Sequence, residues 1–233
     1  SEHSPNPFWV HLPRGFQSAK PGKTCLRMKR SQYGTIFASA LWAKLCLSTL
    51  QEYGLKPSKY DPCFLFKKDL MVVVYVDDCG IAAKTKAIAD DLVKFLESRG
   101  LTLTHEGDFS AFLGIKFDYN PQDNSFNLTQ RGLIQRILEA TQLQDCRPNT
   151  LPTPMKPVGS DPEGAPMDEA WNYRSVIGML LYLSTNTQPD IAFAVSQLAR
   201  FSNNPKKSHA TALKTLVRYL KGTIHIGTIF RPD

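Results

Sequence analysis

The sequence predicts an α+β protein in which a strand-rich first half is followed by a largely helical second half. One observation is a near-continuous β-branched run, Leu70–Ala83, with helical periodicity on either side. Another is the change of character after a proline-rich stretch, Arg147–Pro166, beyond which helical patterns dominate. With 233 residues, 42% of them hydrophobic, the chain can bury a sizeable core. This excludes intrinsic disorder, collagen and small disulfide scaffolds.

The first half contains two predicted helices among short strands. One helix runs over Ala38–Tyr53 with Trp42 and Leu50 among its inward residues, and it closes on Gly54. The other is capped by Thr85 and runs through Arg99, just before a glycine stop. Strands are predicted at Thr24–Lys29 (a strand or a turn), Phe64–Lys67, Leu70–Ala83, Leu101–Thr104, Phe112–Tyr119 and Ser125–Leu128.

The second half is predicted to be helical on either side of the proline-rich stretch. Arg147–Pro166 holds six prolines and two glycines, so it is either a linker or a long ordered loop. A β-prone tail, Thr223–Phe230, has no partner strand after it. The predicted helices are Arg131–Thr141, Asp168–Ser184, Pro189–Phe201 and Pro205–Leu220.

Charge is distributed unevenly along the chain. The formal charge of +7 separates into +7 over residues 1–60, −6 over residues 61–199 and +6 over residues 200–233. Two basic ends around an acidic middle would suit a polyanion held on both sides. Lysines that merely solvate an exposed surface would give the same pattern, so charge alone leaves both interpretations open.

Zinc-binding and membrane-spanning motifs are absent from the sequence. The five cysteines form no CxxC pair and the five histidines form no HExxH motif, so we expect no zinc site and a reducing, intracellular setting. The longest apolar run, Leu70–Val76, is far shorter than the roughly 20 residues of a membrane helix. The proline-bearing start has no signal-peptide pattern, and we expect the chain to be a piece of a longer protein without membrane contact.

The most informative element is the end of the β-branched run. Its composition is typical of a strand covered on both faces, and it ends in two carboxylates, Asp77 and Asp78, before apolar residues resume. We expect a hairpin with these acids at its tip. Adjacent like charges beside a core need solvation or a cation, and Mg²⁺ prefers oxygen ligands. An ordinary polar turn is the alternative, because aspartate is common in turns.

These residues resemble a known family. Tyr75-Val76-Asp77-Asp78 resembles the tyrosine-x-aspartate-aspartate box of reverse transcriptases, and neighbouring segments resemble the polymerase of copia-type long-terminal-repeat retrotransposons in order along most of the chain. The other matching segments are Phe8–Phe16, Tyr33–Trp42, Tyr60–Phe66, Phe112–Ile115, Tyr173–Leu183, Pro189–Ile191 and Arg218–Thr223.

The resemblance implies a right-hand polymerase. Residues 1–125 would be partial fingers and palm, a mixed sheet with helices on one face, and residues 126–222, with the proline-rich loop 147–166, would lead into a helical thumb. Residues 223–233 would begin the connection to a ribonuclease H domain. The implied reaction is template-directed DNA synthesis with two Mg²⁺ (or Mn²⁺) ions. Partners would be an RNA or DNA template with its primer, deoxynucleoside triphosphates, and the upstream palm strand, ribonuclease H and integrase of a polyprotein in a cytoplasmic virus-like particle.

The resemblance also assigns roles to individual residues. Asp77 would be the principal metal ligand and Asp78 its peripheral companion. Tyr75 and Val76 would flank the primer terminus. Leu113 and Gly114 would support it, although plain sheet packing also suits Leu113. Further candidates are Lys214, Arg218 and Lys221 for the template-primer backbone, on one helix face that could equally be solvated, and Phe37 and Ala38 for the nucleotide.

Several positions depart from the family pattern. The family has a further essential aspartate upstream, whereas the first aspartate in this chain is Asp61, so we expect the fragment alone to be inactive. Phe37 replaces a glutamine, Ser39 a proline and Ala40 a cation. A non-catalytic nucleic-acid-binding remnant of a decayed or repurposed element is therefore the alternative function. Another palm-like nucleotidyl transferase or cyclase is a weaker one, because it would explain only the hairpin.

Overall fold

The computed structural model describes residues 9–16, 22–28, 32, 34–104, 107, 110–153, 158–167 and 171–232. The chain divides into two compact units, residues 1–107 and residues 108–233. The mixture of antiparallel sheets and helices agrees with the predicted α+β class. The functional boundary predicted at residue 125 stays a prediction. In the described part of the chain, no helix combines the length and apolarity that crossing a membrane requires.

The first unit contains an antiparallel four-stranded sheet in the order β3-β4-β5-β6 and a separate two-stranded ribbon, β1-β2. Its elements are β1 (Trp9–His11), β2 (Cys25–Arg27), α1 (Ala38–Glu52), β3 (Lys56–Pro57), β4 (Phe64–Lys67), β5 (Leu70–Tyr75), β6 (Asp78–Ala83) and α2 (Lys86–Ser98). Both predicted helices are present with ends shifted by one residue. The segment 101–104, predicted as a strand, has no regular structure.

Both helices of the first unit contribute to a core on one face of this sheet. Leu50 of α1 and Leu92 of α2 are buried in one cluster with Leu65, Val72 and Val74 of the sheet. Along β5 burial alternates strictly, so that every second residue is exposed. The prediction of a strand covered on both faces is therefore wrong. The continuous apolar run misled because the exposed positions of β5 are also apolar.

The second unit places four helices beside another antiparallel sheet, in the order β10-β9-β8-β7. Its elements are β7 (Ala111–Phe112), β8 (Ile115–Asn120), β9 (Ser125–Thr129), α3 (Arg131–Ala140), α4 (Tyr173–Asn186), a 3₁₀ turn (Pro189–Ile191), α5 (Ala192–Ala199), α6 (Lys207–Gly222) and β10 (Thr228–Phe230). Fully buried side chains from all four helices form its core, among them Ile137, Leu180, Val195, Leu213 and Leu220. Burial of each such side chain stabilises the unit by about 1.5–3 kcal/mol.

The structure of this unit differs from the prediction at several points. The strand predicted over Phe112–Tyr119 is a hairpin, because a two-residue turn separates β7 from β8. Helix α4 begins at Tyr173 because the Asn172 side chain accepts a hydrogen bond from the Ser175 N–H, 2.9 Å away, and so caps the helix. The predicted helix start at Asp168 lies outside the described residues. The tail does find a partner, since β10 pairs with β9, upstream of it in sequence.

The proline-rich segment lies against α6. The backbone N–H of Asn149 donates to the Arg218 carbonyl at 3.1 Å, and the Lys207 N–H donates to the Ala165 carbonyl at 3.0 Å. The His209 ring is buried, and its Nε2 lies 2.9 Å from the Gly159 carbonyl oxygen. The described part of this segment is therefore an ordered loop rather than a linker.

Candidate active site

The two adjacent aspartates lie at the end of the β5–β6 hairpin. Tyr75 pairs with Asp78, which leaves Val76 and Asp77 as a two-residue turn. Val76 has φ +53°, whereas Asp77 does not lie in the positive-φ region, which is the φ pattern of a type II′ turn. Glycine normally takes the first central position of that turn. A β-branched residue there is strained by roughly 1–2 kcal/mol, and strain of this kind concentrates at functional sites.

Both carboxylates are open to solvent. Asp77 and Asp78 are exposed, and within the described residues neither has an ion-pair partner. Mg²⁺ is usually held in proteins by one or two carboxylates with water and substrate phosphates completing its shell. The pair fits that donor set. Among the residues that the structure describes, no group of three or more histidine, cysteine, aspartate or glutamate side chains could hold a metal ion.

A helix residue holds the turn from behind. The indole Nε1–H of Trp42, on α1, donates a hydrogen bond to the Val76 carbonyl oxygen at 2.7 Å. One helical turn later, interaction with the thiol of Cys79 on β6, together with burial, raises the pKa of Cys46. The sequence placed Trp42 on the inward face of its helix. No sequence signal indicated that its N–H reaches the turn, because the acceptor is a backbone atom.

A second turn has a similar arrangement in the other unit. Leu113 (φ +52°) and Gly114 (φ +77°) connect β7 to β8, and positive φ at both positions is typical of a type I′ hairpin. The Tyr182 hydroxyl, on α4, donates to the Leu113 carbonyl oxygen at 2.7 Å. A Cβ on Gly114 would meet no atom within 4 Å, so glycine is favoured there by its backbone conformation alone.

The three predicted cations of α6 have different surroundings. Lys214 is exposed. The Arg218 Nε–H donates to the Arg147 carbonyl at 2.8 Å, and the Lys221 ammonium donates to the Gln144 carbonyl at 2.6 Å. Arg218 and Lys221 therefore hold the chain that follows α3 against α6. Their predicted contact with a nucleic-acid backbone stays a prediction.

The remaining predicted site residues lie at the start of α1. Phe37 precedes the helix and is 46% exposed, and Ala38 is its first residue. In the first unit, the predicted nucleotide residues therefore lie at the start of α1, and the β5–β6 hairpin is joined to the same helix by the hydrogen bond of Trp42. Two residues of the matching segments, Phe8 and Tyr33, lie outside the described residues.

The chain is similar in sequence to known proteins. The profile of the family described as reverse transcriptase (RNA-dependent DNA polymerase) matches residues 3–156. The chain is 28% identical over 229 residues, 93% of its length, to the Pol polyprotein of transposon TNT 1-94 from Nicotiana tabacum. It is 30% identical over 228 residues (96% of the chain) to that of transposon RE1, and 29% over 220 residues (92%) to that of RE2, both from Arabidopsis thaliana.

These relatives are much longer than the chain. The matched regions cover 17% of the TNT 1-94 polyprotein and 15% of each of the other two. No solved structure matches the chain. The predicted resemblance to copia-type retrotransposon polymerases is confirmed.

Proposed function

The chain belongs to the reverse transcriptase (RNA-dependent DNA polymerase) family, and from this premise we propose that it carries part of the polymerase site of a retrotransposon polyprotein. The observation that supports the proposal most directly is the pair Asp77 and Asp78. The two carboxylates are adjacent, exposed and, in the described residues, free of ion-pair partners, at the end of a hairpin fixed by α1. An ordinary polar turn would not need a β-branched residue at positive φ.

Mg²⁺ or Mn²⁺ bound here would lower the barrier of phosphoryl transfer by neutralising charge on the attacking and leaving oxygens. We propose Asp77 as the principal ligand and Asp78 as the peripheral one. Tyr75 and Val76, which are 54% and 59% exposed, would flank the primer terminus. Leu113 and Gly114 would support the primer end, and Phe37 with Ala38 would contact the nucleotide.

We further propose that the pair needs another oxygen ligand from elsewhere in the polyprotein. The described residues offer no group of three ligands, so two carboxylates are the most that they supply to one ion. Because the family pattern also has an essential aspartate upstream of the segment that begins at Phe8, we expect the 233-residue chain alone to be inactive. We propose the upstream palm strand as the source of that ligand. The family resemblance makes the ribonuclease H and integrase portions further partners in the particle in which the parent polyprotein would assemble.

Primer extension by the full polyprotein tests the proposal. Asp77→Asn is expected to lower the extension rate about 100-fold or more, because loss of a metal ligand removes several kcal/mol of transition-state stabilisation. The matched control is Asp69→Asn in the turn between β4 and β5, at φ +63°, a conformation that asparagine tolerates. Equal activity of the Asp77 variant and the unsubstituted protein would refute the assignment.

The alternative function is nucleic-acid binding without catalysis. The charge of +6 over residues 200–233 and the exposed Lys214 favour it. It predicts that the chain binds a primer-template duplex, with an affinity that falls steeply as salt rises, and that the unsubstituted polyprotein extends no primer. Failure to bind at low salt would contradict it.

A further inference from the structure

We propose that Trp42 is a positioning residue for the metal-binding carboxylates, because its indole N–H fixes the peptide unit between Val76 and Asp77. The inference rests on the proposed function for its catalytic meaning. The hydrogen bond itself, 2.7 Å from Nε1 to the Val76 oxygen, joins α1 to the turn that holds Asp77. Helix α1 therefore holds the turn through this bond, in addition to packing against the sheet.

The Val76 carbonyl belongs to the same planar peptide as the Asp77 N–H. In a two-residue hairpin, rotation of this central peptide converts a type II′ turn into a type I′ turn and changes the sign of φ at the second residue. That rotation would reorient Asp77 relative to the hairpin. A hydrogen bond to the carbonyl oxygen opposes the rotation, so Trp42 holds the backbone from which the Asp77 carboxylate projects.

The donor is itself held in place. Cys46 and Leu50 follow Trp42 along α1, are 3% and 1% exposed, and belong to the core on the inner face of the sheet. The indole therefore projects from a helix that cannot move without opening this core. Trp42 packs against the same cluster. An indole N–H only donates, so it selects the orientation in which the Val76 oxygen faces α1.

The need for such a contact follows from the turn sequence. With Val76 at φ +53°, neither of the two primed turns is favoured by the residue at its first central position. Type I′ would also put Asp77 at positive φ, which aspartate tolerates better than most residues, so local preference separates the two turns only weakly. A single tertiary hydrogen bond of ordinary strength can then shift their populations about fivefold. The conformation of the carboxylate turn thus depends on a contact more than 30 residues away in sequence.

The test replaces the donor while keeping the ring. In the 233-residue chain, Trp42→Phe and the isosteric replacement of Trp42 by 3-benzothienylalanine, which has sulfur in place of the N–H, are compared with Trp171→Phe. Trp171 stacks on Tyr173 in the second unit, so it controls for loss of an indole. Hydrogen exchange of the Asp77 amide and line broadening around Asp78 by Mn²⁺ are measured by NMR.

We expect both Trp42 replacements to accelerate exchange at Asp77 about fivefold and to raise the Mn²⁺ concentration for half-maximal broadening by a similar factor, while Trp171→Phe changes neither. In the full polyprotein, kcat is expected to fall about fivefold, with KM for the nucleotide within about twofold. Unchanged exchange and broadening in the benzothienyl variant, or an unchanged kcat, would overturn the inference. If the unsubstituted polyprotein extends no primer, the proposed function fails, and exchange and broadening still decide whether Trp42 orients the carboxylates.

Discussion

Glycine at position 227 is required if the C-terminal strand closes the sheet of the second unit. A Cβ built on Gly227 would lie 2.0 Å from the carbonyl oxygen of Leu128, which is a collision with backbone. The next residue, Thr228, is paired with Leu128, so strand β10 cannot move away without losing its register with β9. We therefore expect Gly227→Ala to detach β10 rather than to distort the buried helices.

The expected loss in the free energy of unfolding follows from the interactions that are broken when β10 detaches from β9. The pairing joins three residues of each strand, and each lost hydrogen bond weakens the unit by about 1 kcal/mol. Since Ile229 and Phe230 are already 51% and 59% exposed, little further apolar burial is lost. The free energy of unfolding is expected to fall by about 2–3 kcal/mol. The loss is no larger, because β10 detaches once the collision would cost more than its pairing with β9.

Urea denaturation and hydrogen exchange of the β9 amides measure these effects. The matched control is Gly132→Ala on α3, where a Cβ meets nothing within 4 Å and alanine is expected to stabilise the helix by about 0.5–1 kcal/mol. If Gly227→Ala keeps both the stability and the protection of β9, β10 does not close this sheet. The idea that residues 223–233 only begin a connection to a further domain would then gain support.

Two further substitutions test the second unit. Tyr182→Phe removes the hydroxyl that donates to Leu113. It is expected to lower the free energy of unfolding by about 0.5–1.5 kcal/mol and to speed hydrogen exchange in the turn around Leu113. Unchanged exchange there would show that this hydrogen bond does not hold the turn. Leu213→Ala, at a fully buried position of α6, is expected to lower the free energy of unfolding by about 2–5 kcal/mol, measured by urea denaturation. Lys214→Ala, at the neighbouring exposed position, should change it by no more than about 0.5 kcal/mol. Equal losses of stability in the two variants would contradict the assigned helix face.

Local signals were sufficient for most helices but not for all strands. The ends of α1 and α2 follow from an apolar periodicity closed by a glycine, and both were predicted to within a residue. The hairpin around Gly114 was predicted as one strand, because apolar residues run up to the glycine and alternate with polar ones after it, and the turn residue before the glycine is leucine. The partner of β10 could not be predicted, since it lies about 100 residues upstream and only the closed sheet brings the two together.

The candidate site shows the same division between chemistry and geometry. Carboxylates at the end of an apolar run identified Asp77 and Asp78, because charge next to a core is conspicuous in a sequence. Their support was invisible, because Trp42 bonds to a carbonyl oxygen, and every residue has one. The same is true of Tyr182 at the separate turn around Leu113. Residue type therefore located the carboxylates, while the means of holding them became apparent only in three dimensions.

The two turns share a feature that links strain to proposed function. Val76 and Leu113 both adopt positive φ, a conformation that costs a bulky residue roughly 1–2 kcal/mol, and the carbonyl of each accepts a hydrogen bond from an aromatic donor on a helix of its own unit. One such bond is comparable to the strain that it offsets. A turn balanced in this way is rigid only while its donor is present. The helices of both units thus maintain turn geometries that the turn sequences alone would not select.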